Sequence, residues 1–246
     1  MANPKKKRQP SMKAVILAGG LGTRLQPYTF FIPKPMLPLG NKPLLEYIID
    51  WLKHSGGIGH IVMCVSYLHR AIEDYFEDGS RFGVQIEYAR SERPLATAGQ
   101  LKTAEKLLDD SFVCVYGDSV YEFNLHKMIR QHKESKAFVT MALLEYSTRL
   151  KYGFIDVNGQ DRVTAWREKP EISGLINIGC YVMDSEFLKI IPKSGSFGMD
   201  HAVRKVLEQR RTVKGFKIGD TGFVDIGDKK SYLDAYKQYV SRLGKI

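Results

Sequence analysis

The residues best suited to chemistry begin at Ala18-Gly19-Gly20-Leu21-Gly22-Thr23-Arg24, a glycine-rich loop that follows an apolar run from Lys13 to Ala18. A run that is apolar at every position after its lysine reads as a central strand buried on both faces, and open α/β sheets bind ligands at the carboxyl ends of such strands. Three glycines let the backbone approach a ligand closely, and the N–H groups freed by tight turns can converge on phosphate oxygens. Arg24 and Lys34 place fixed positive charge at the same edge. The P-loop pattern is absent, because no Gly-Lys pair follows at the required spacing. The dinucleotide fingerprint is absent too, because position 25 is Leu and no short helix precedes Pro27 and Pro33. Glycines alone are equally compatible with an ordinary turn; the two cations point to polyphosphate.

A second candidate lies at Val113-Cys114-Val115-Tyr116-Gly117-Asp118, an apolar strand ending in an acid. This puts Asp118 at the same sheet edge as the glycine loop. Magnesium takes one or two carboxylates together with phosphate oxygens and water, and Asp118 would supply one, although Asp also commonly opens turns. A third is Ser91 to Gln100, with Glu92, Pro94, Ala96, Thr97 and Gly99, which enters a helical stretch and so offers backbone N–H groups to a polar ligand. The six histidines lack metal spacing, and no G-x-S-x-G elbow is present, so hydrolase chemistry has no support. Cys64, Cys114 and Cys180 each sit in an apolar run and read as core thiols rather than a disulfide framework or zinc site.

The elements that must position these residues alternate short β-rich runs with helical periodicity, which predicts an α/β fold with a mostly parallel sheet covered on both faces. Strands are expected at Lys13 to Ala18, Ile61 to Val65, Val84 to Tyr88 and Phe112 to Tyr116. Helices are expected from Pro43 to the stop at Gly56-Gly57, over Leu68 to Phe76 and over Gly99 to Leu108. After Ala137 the chain turns strand-rich, at Phe138 to Leu144, Gly153 to Val157, Val163 to Trp166 and Ile176 to Met183. Helices return near Leu188 and Asp200, and a last one runs from Lys230 to Leu243. No internal repeat and no Gly/Ser/Pro linker divides the chain, so one domain over residues 12–246 is expected.

The composition, 43% hydrophobic and 26% charged, is that of a globular protein. Of the formal +10 charge, four units lie in Lys5-Lys6-Lys7-Arg8 within a basic tail, residues 1–11. The remaining excess suits a polyphosphate site. Zinc-finger spacing and an aromatic RNA-binding signature are both absent, which argues against a nucleic-acid partner. No run approaches a bilayer span and no signal peptide is recognisable, so a cytoplasmic protein without a membrane partner is expected.

Leu17 to Pro27, continued by Pro33-Lys34-Pro35-Met36-Leu37-Pro38 and Asn41-Lys42-Pro43-Leu44, closely resembles the opening signature of the sugar-phosphate nucleotidyltransferases, the nucleoside-diphosphate-sugar pyrophosphorylases. The resemblance runs from Met12 onward. It implies a Rossmann-like core that makes an NDP-sugar and pyrophosphate from an NTP and a sugar 1-phosphate, using Mg²⁺. By it Arg24 and Lys34 would grip the triphosphate. Ala18, Gly19, Gly20, Gly22 and Thr23 would form the nucleotide cradle, and Glu92, Pro94, Ala96, Thr97 and Gly99 would hold the nucleoside, with Ala96 standing where the family usually has Gly. Phe223-Val224-Asp225-Ile226-Gly227-Asp228 resembles a later family motif, which makes Asp225 the second metal ligand; Asp228 reads as the cap of the last helix. Gly153, Glu168, Lys169 and Asn177 match sugar-phosphate contacts in the strand-rich portion. The look is nearest to mannose-1-phosphate guanylyltransferases, with thymidylyl-, uridylyl- and cytidylyltransferases on the same framework. A catalytically silent homologue is the rival, but every charged site residue is present. The family also implies a homo-oligomer, though not through a C-terminal β-helix, since no hexapeptide repeat occurs.

Overall fold

A computed structural model of the chain describes residues 12–108, 110–219 and 222–243; the basic tail expected over 1–11 lies outside these. The strands are β1 (Lys13–Leu17), β2 (Pro38–Leu39), β3 (Lys42–Pro43), β4 (His60–Val65), β5 (Gln85–Arg90), β6 (Phe112–Tyr116), β7 (Ser119–Tyr121), β8 (Val139–Arg149), β9 (Phe154–Val157), β10 (Val163–Arg167), β11 (Glu171–Met183), β12 (Val213–Lys217) and β13 (Phe223–Asp225). The α-helices are α1 (Leu44–Gly56), α2 (His69–Phe76), α3 (Ala96–Thr103), α4 (Leu125–Ser135), α5 (Met199–Glu208) and α6 (Lys229–Leu243).

Seven strands form the main sheet in the order β12-β8-β11-β6-β1-β4-β5. All pairings are parallel except those of β11, which runs antiparallel to both β6 and β8. The mostly parallel α/β sheet expected from the sequence is the one observed. Its centre shows why β1 reads as an unbroken apolar run. Ala14 and Ile16 face one core with α1, α2 and α4, while Val15 and Leu17 face a second with α3 and α5. Each large side chain buried this way, such as Ile16, contributes roughly 1.5–3 kcal/mol. Cys64, Cys114 and Cys180 are buried free thiols in these strands, as expected, and burial pushes the Cys64 thiol up to about 12.

A third, smaller core holds Leu25, Leu37, Leu39 and Leu44 against Val120, Ile226, Tyr232 and Tyr239. It clamps the glycine-rich loop to β7, β13 and α6. Tyr232 reinforces the clamp by donating its hydroxyl to the Pro38 carbonyl at 2.8 Å.

Several elements depart from the sequence expectation. Pro43 is extended rather than the first helical residue, pairing with Pro38 in the β2–β3 hairpin, and α1 starts one residue later. The helix expected over Gly99 to Leu108 begins earlier, at Ala96, ends at Thr103 and breaks into a 3₁₀ turn, Glu105–Leu107. Helix α4 was not expected from the sequence, although Leu125, Met128, Ile129 and His132 make a buried helical stripe and Asn124 Oδ1 accepts from the Lys127 N–H at 2.9 Å as an N-cap. Neither was β12, whose residues are largely exposed at the sheet edge and carry no continuous apolar signal. Strand β11 starts at Glu171, five residues earlier than expected, because its outer half pairs with the outer half of β8. Those outer halves, with the β9–β10 hairpin, are exposed at every strand position except Asp156, so their residues lack the burial pattern that marks a strand.

Candidate active site

The carboxyl ends of three adjacent strands come level at one edge, since Leu17 is in register with both Cys64 and Tyr116. The Ala18 N–H donates to the Cys64 carbonyl at 2.8 Å and the Gly117 N–H to the Leu17 carbonyl at 2.9 Å, which holds both loops against the sheet as they leave it. Between them lies a cleft of 220 Å³. Arg24, Lys34 and Asp118 line it together with Gly20, Thr97 and Gln100. Ala18, Gly22 and Thr23 also border it, so most of the expected nucleotide cradle meets at one place.

Gly22 sets the shape of the loop. Its φ of 63° is left-handed, and a Cβ there would stand 2.8 Å from Thr29 Cγ2 and 3.2 Å from Lys34 Cβ. Without a side chain, the loop turns back tightly enough for Thr29 Oγ1 to donate to the Gly22 carbonyl at 2.9 Å, and for Lys34 to come under the cleft. Gly19 is buried against the cleft wall with its N–H donating to Gln100 Oε1 at 3.0 Å, while Gly20 is open.

Lys34 is the most buried charge in the cleft, its side chain 8% exposed, and its Nζ donates to Asp118 Oδ2 at 2.6 Å. Asp225 reaches the same place from far along the chain, because β13 pairs antiparallel with β7 and sets Asp225 opposite Ser119, the neighbour of Asp118. Partial burial first, and then the negative charge of Asp118, push the Asp225 carboxyl above its ordinary range, while Lys34 and Arg24 pull it down. Two carboxylates, one lysine and one arginine therefore share a single electrostatic environment. A Cβ on Gly227, the next glycine, would lie 2.7 Å from Asp225 Oδ2 and 3.5 Å from Arg24 Nη1, so the bare backbone there leaves both groups their positions. Asp228 stands outside this group as the cap of α6, its Oδ1 accepting from the Ser231 N–H at 2.9 Å.

The remaining expected site residues are placed less uniformly. Thr97 lines the cleft, and its Oγ1 accepts from the Met199 N–H at 2.9 Å. Glu92, Pro94 and Ala96 are exposed beyond the cleft's lining. Ala96 keeps a left-handed φ of 54°, a conformation that costs alanine roughly 1–2 kcal/mol relative to glycine. Gly99 faces away, its N–H donating to the Phe197 carbonyl at 3.0 Å, with room for no more than a hydrogen toward Leu95.

Gly153, Glu168 and Lys169 lie on the exposed β9–β10 hairpin and its flanks, where Trp166 Nε1 donates to Glu168 Oε2 at 3.0 Å. Asn177 connects to the cleft indirectly. Its Nδ2 donates to the Tyr181 hydroxyl, which pairs at 3.2 Å with the hydroxyl of Tyr116, a cleft residue.

Seven residues that line the cleft were not expected from the sequence as site residues: Leu17, Leu25, Pro35, Gln100, Tyr116, Gly117 and Gly227. Gln100 lies one turn after Thr97 on α3, and that i, i+3 spacing was the available signal. Tyr116 and Gly227 adjoin residues that were singled out.

Among the described residues no three potential metal-ligating side chains cluster, so a zinc-type site is not formed. Asp118, which lines the cleft, and Asp225, paired opposite Ser119, would offer oxygens of the kind a hard cation takes together with phosphate and water.

The chain is similar to known proteins along most of its length. The D-glycero-alpha-D-manno-heptose 1-phosphate guanylyltransferase of Aneurinibacillus thermoaerophilus is 35% identical over 232 residues, which cover 92% of this chain and 98% of that protein. The mannose-1-phosphate guanylyltransferase of Mycobacterium tuberculosis is 35% identical over 193 residues, or 77% of this chain and 54% of that longer relative. The crystal structure of HddC from Yersinia pseudotuberculosis complexed with GMP-PN superposes with a TM-score of 0.72 at 26% identity, covering 93% of this chain and 99% of that one. The family model described as nucleotidyl transferase matches residues 13–242, and with these relatives it shows that the chain belongs to the nucleotidyl transferase family.

Proposed function

We propose that the protein joins a nucleoside triphosphate to a sugar 1-phosphate, releasing pyrophosphate, with GTP and a manno-configured sugar 1-phosphate preferred. The observation that carries this reading is the convergence of Arg24, Lys34, Asp118 and Asp225 at one sheet edge beside the glycine-rich loop. The names of the guanylyltransferase relatives support the choice of base and sugar.

In this reading a phosphate oxygen of the sugar 1-phosphate forms a bond to the α-phosphorus of the triphosphate. The bond from that phosphorus to the oxygen bridging toward the β-phosphorus breaks, and pyrophosphate leaves with the electron pair. The nucleophile is already anionic, so the protein's task is to bring two anions together and to neutralise them. Arg24 provides a fork for phosphate oxygens. Lys34, nearly buried, supplies a point charge whose effect is screened little by water. Asp118 and Asp225 would hold magnesium, which when bound neutralises phosphate charge. Glu168 and Lys169 would engage the sugar phosphate from the exposed hairpin, with Gly153 and Asn177 beside it. The chain would act as one catalytic unit in the cytoplasm and as a homo-oligomer, and light scattering of the purified protein reads its assembly.

A matrix of four NTPs against several sugar 1-phosphates, scored by pyrophosphate release, tests the reading. GTP with a manno-configured sugar should give the largest kcat/KM, and no release with any pair would refute it. Lys169→Ala is expected to raise the KM for sugar phosphate by about tenfold while leaving the KM for NTP near its starting value, as loss of one charge-assisted contact requires. An unchanged sugar-phosphate KM removes Lys169 from the site. Gly227→Ala should lower kcat by about a hundredfold with the melting temperature preserved, since the new methyl group displaces the ends of Asp225 and Arg24 rather than backbone. Steady-state kinetics beside a thermal melt separate that outcome from misfolding.

A further inference from the structure

The cleft is chemically two-sided. Arg24, Lys34 and Asp118 supply its charge. The rest of its lining is uncharged, and there a base must be read by hydrogen bonds alone. Apart from Thr23 on the glycine-rich loop, its polar side chains are Thr97, Gln100 and Tyr116. Two of them are already engaged: Thr97 Oγ1 accepts from the Met199 N–H, and the Tyr116 hydroxyl pairs with Tyr181.

Gln100 differs. The residue is 8% exposed, and its Oε1 is held by the Gly19 N–H at 3.0 Å. A backbone N–H can only donate, so this bond dictates which end of the amide is oxygen and turns Nε2 the other way. Nε2 donates to no described residue, and no buried side-chain nitrogen or oxygen among the described residues lacks a partner, so Nε2 is open to the cleft that Gln100 lines. It presents N–H donors and no acceptor.

We propose that Gln100 reads the nucleotide base, its Nε2 donating to a ring carbonyl oxygen. The site thereby selects a triphosphate whose base carries a carbonyl over ATP, whose base has none. This deepens the function proposed above and rests on it. Oε1 serves as the fixed end. The same bond that holds the Gly19 peptide of the phosphate loop points the donor at the base, so loop geometry and base choice are coupled through one side chain. At the ring position where guanine carries its carbonyl, adenine carries an amino donor, leaving Nε2 facing a donor in a desolvated place, which a single buried unpaired group penalises by about 1–3 kcal/mol.

The test uses Gln100→Glu, which keeps an oxygen for the Gly19 N–H and replaces the donor by an acceptor. The full chain and the variant are compared by pyrophosphate release with GTP, UTP, CTP, dTTP and ATP, and by calorimetric binding of the same nucleotides. The wild type is expected to favour the best carbonyl-bearing nucleotide over ATP by at least about tenfold in both measurements, in line with one buried hydrogen bond. In the variant that ratio should fall about tenfold or more. The added negative charge weakens every triphosphate alike and cancels in the ratio. Equal use of ATP by the wild type, or a ratio unchanged in the variant, overturns the inference. If the wild type releases no pyrophosphate with any sugar 1-phosphate, the proposed reaction fails, and the binding ratios still decide whether Gln100 reads the base.

Discussion

Replacing Asp118 by asparagine is expected to lower turnover by about a thousandfold with the protein still folded. Under the proposed function the carboxylate has two duties in the cleft. It neutralises the Lys34 ammonium at 2.6 Å, and with Asp225 it forms the paired acid that suits magnesium. Losing a ligand of a phosphate-bound cation forfeits several kcal/mol of transition-state charge stabilisation, and each 1.36 kcal/mol is tenfold in rate. The fold should tolerate the change, because the asparagine oxygen still accepts from Lys34 Nζ. A cost of about 1–2 kcal/mol, or a few degrees in melting temperature, covers the exchange of a charged for a neutral hydrogen bond. Pyrophosphate release and a thermal melt of the same preparation check both halves. Turnover within tenfold of the wild type would remove Asp118 from the metal site.

Asparagine at position 225 should also abolish most turnover, by about a hundredfold or more, yet move stability the other way. Burial and the Asp118 charge raise the Asp225 carboxyl above its ordinary range, so its ionised form is disfavoured in the fold. The sign follows from linkage: the folded state holds this proton more tightly than the unfolded chain does. The charge therefore costs stability above the raised pKa, and the cost disappears as pH falls below the ordinary carboxylate range near 4. With metal chelated at neutral pH, Asp225→Asn should melt higher than the wild type, and the gap should close on acidification. Each kcal/mol gained corresponds to about 2–4 °C in a chain of this size. A lower melting temperature in chelator would show that Arg24 and Lys34 stabilise Asp225 by more than burial and Asp118 penalise it. The opposite stability signs of the two aspartate variants are the signature of a site that places like charges together for function at the expense of the resting fold.

The central strands and the glycine-rich loop were legible in the sequence because the signals are local. Strand β1 is apolar at consecutive positions since both of its faces are covered, and a glycine loop behind such a strand can only emerge at the sheet edge. Strands β4 and β6 followed from the same logic, and the end of β6 carried Asp118 to that edge without any knowledge of packing. The outer halves of β8 and β11 were harder to bound, for they face solvent and lack alternation. Helix α3 was displaced by several residues. Its start is decided by the clasp of Leu95 and Gly99 onto Phe197, a contact with a distant segment.

What the sequence by itself determined is therefore the chemistry that contiguous residues can express: a strand, a turn that frees N–H groups, and cations within one loop. The tertiary structure alone decided three things. It brought Asp225 beside Asp118 by pairing β13 with β7 and sealing the third core around Leu25 and Ile226. It turned Gly99 toward the 195–197 segment and Gln100 into the cleft, because the packing of α3 chooses which helix face looks inward. It also left the hairpin bearing Glu168 and Lys169 exposed. In the first two cases the deciding energy is a contact between segments far apart in the chain, to which a local pattern of residue types is blind.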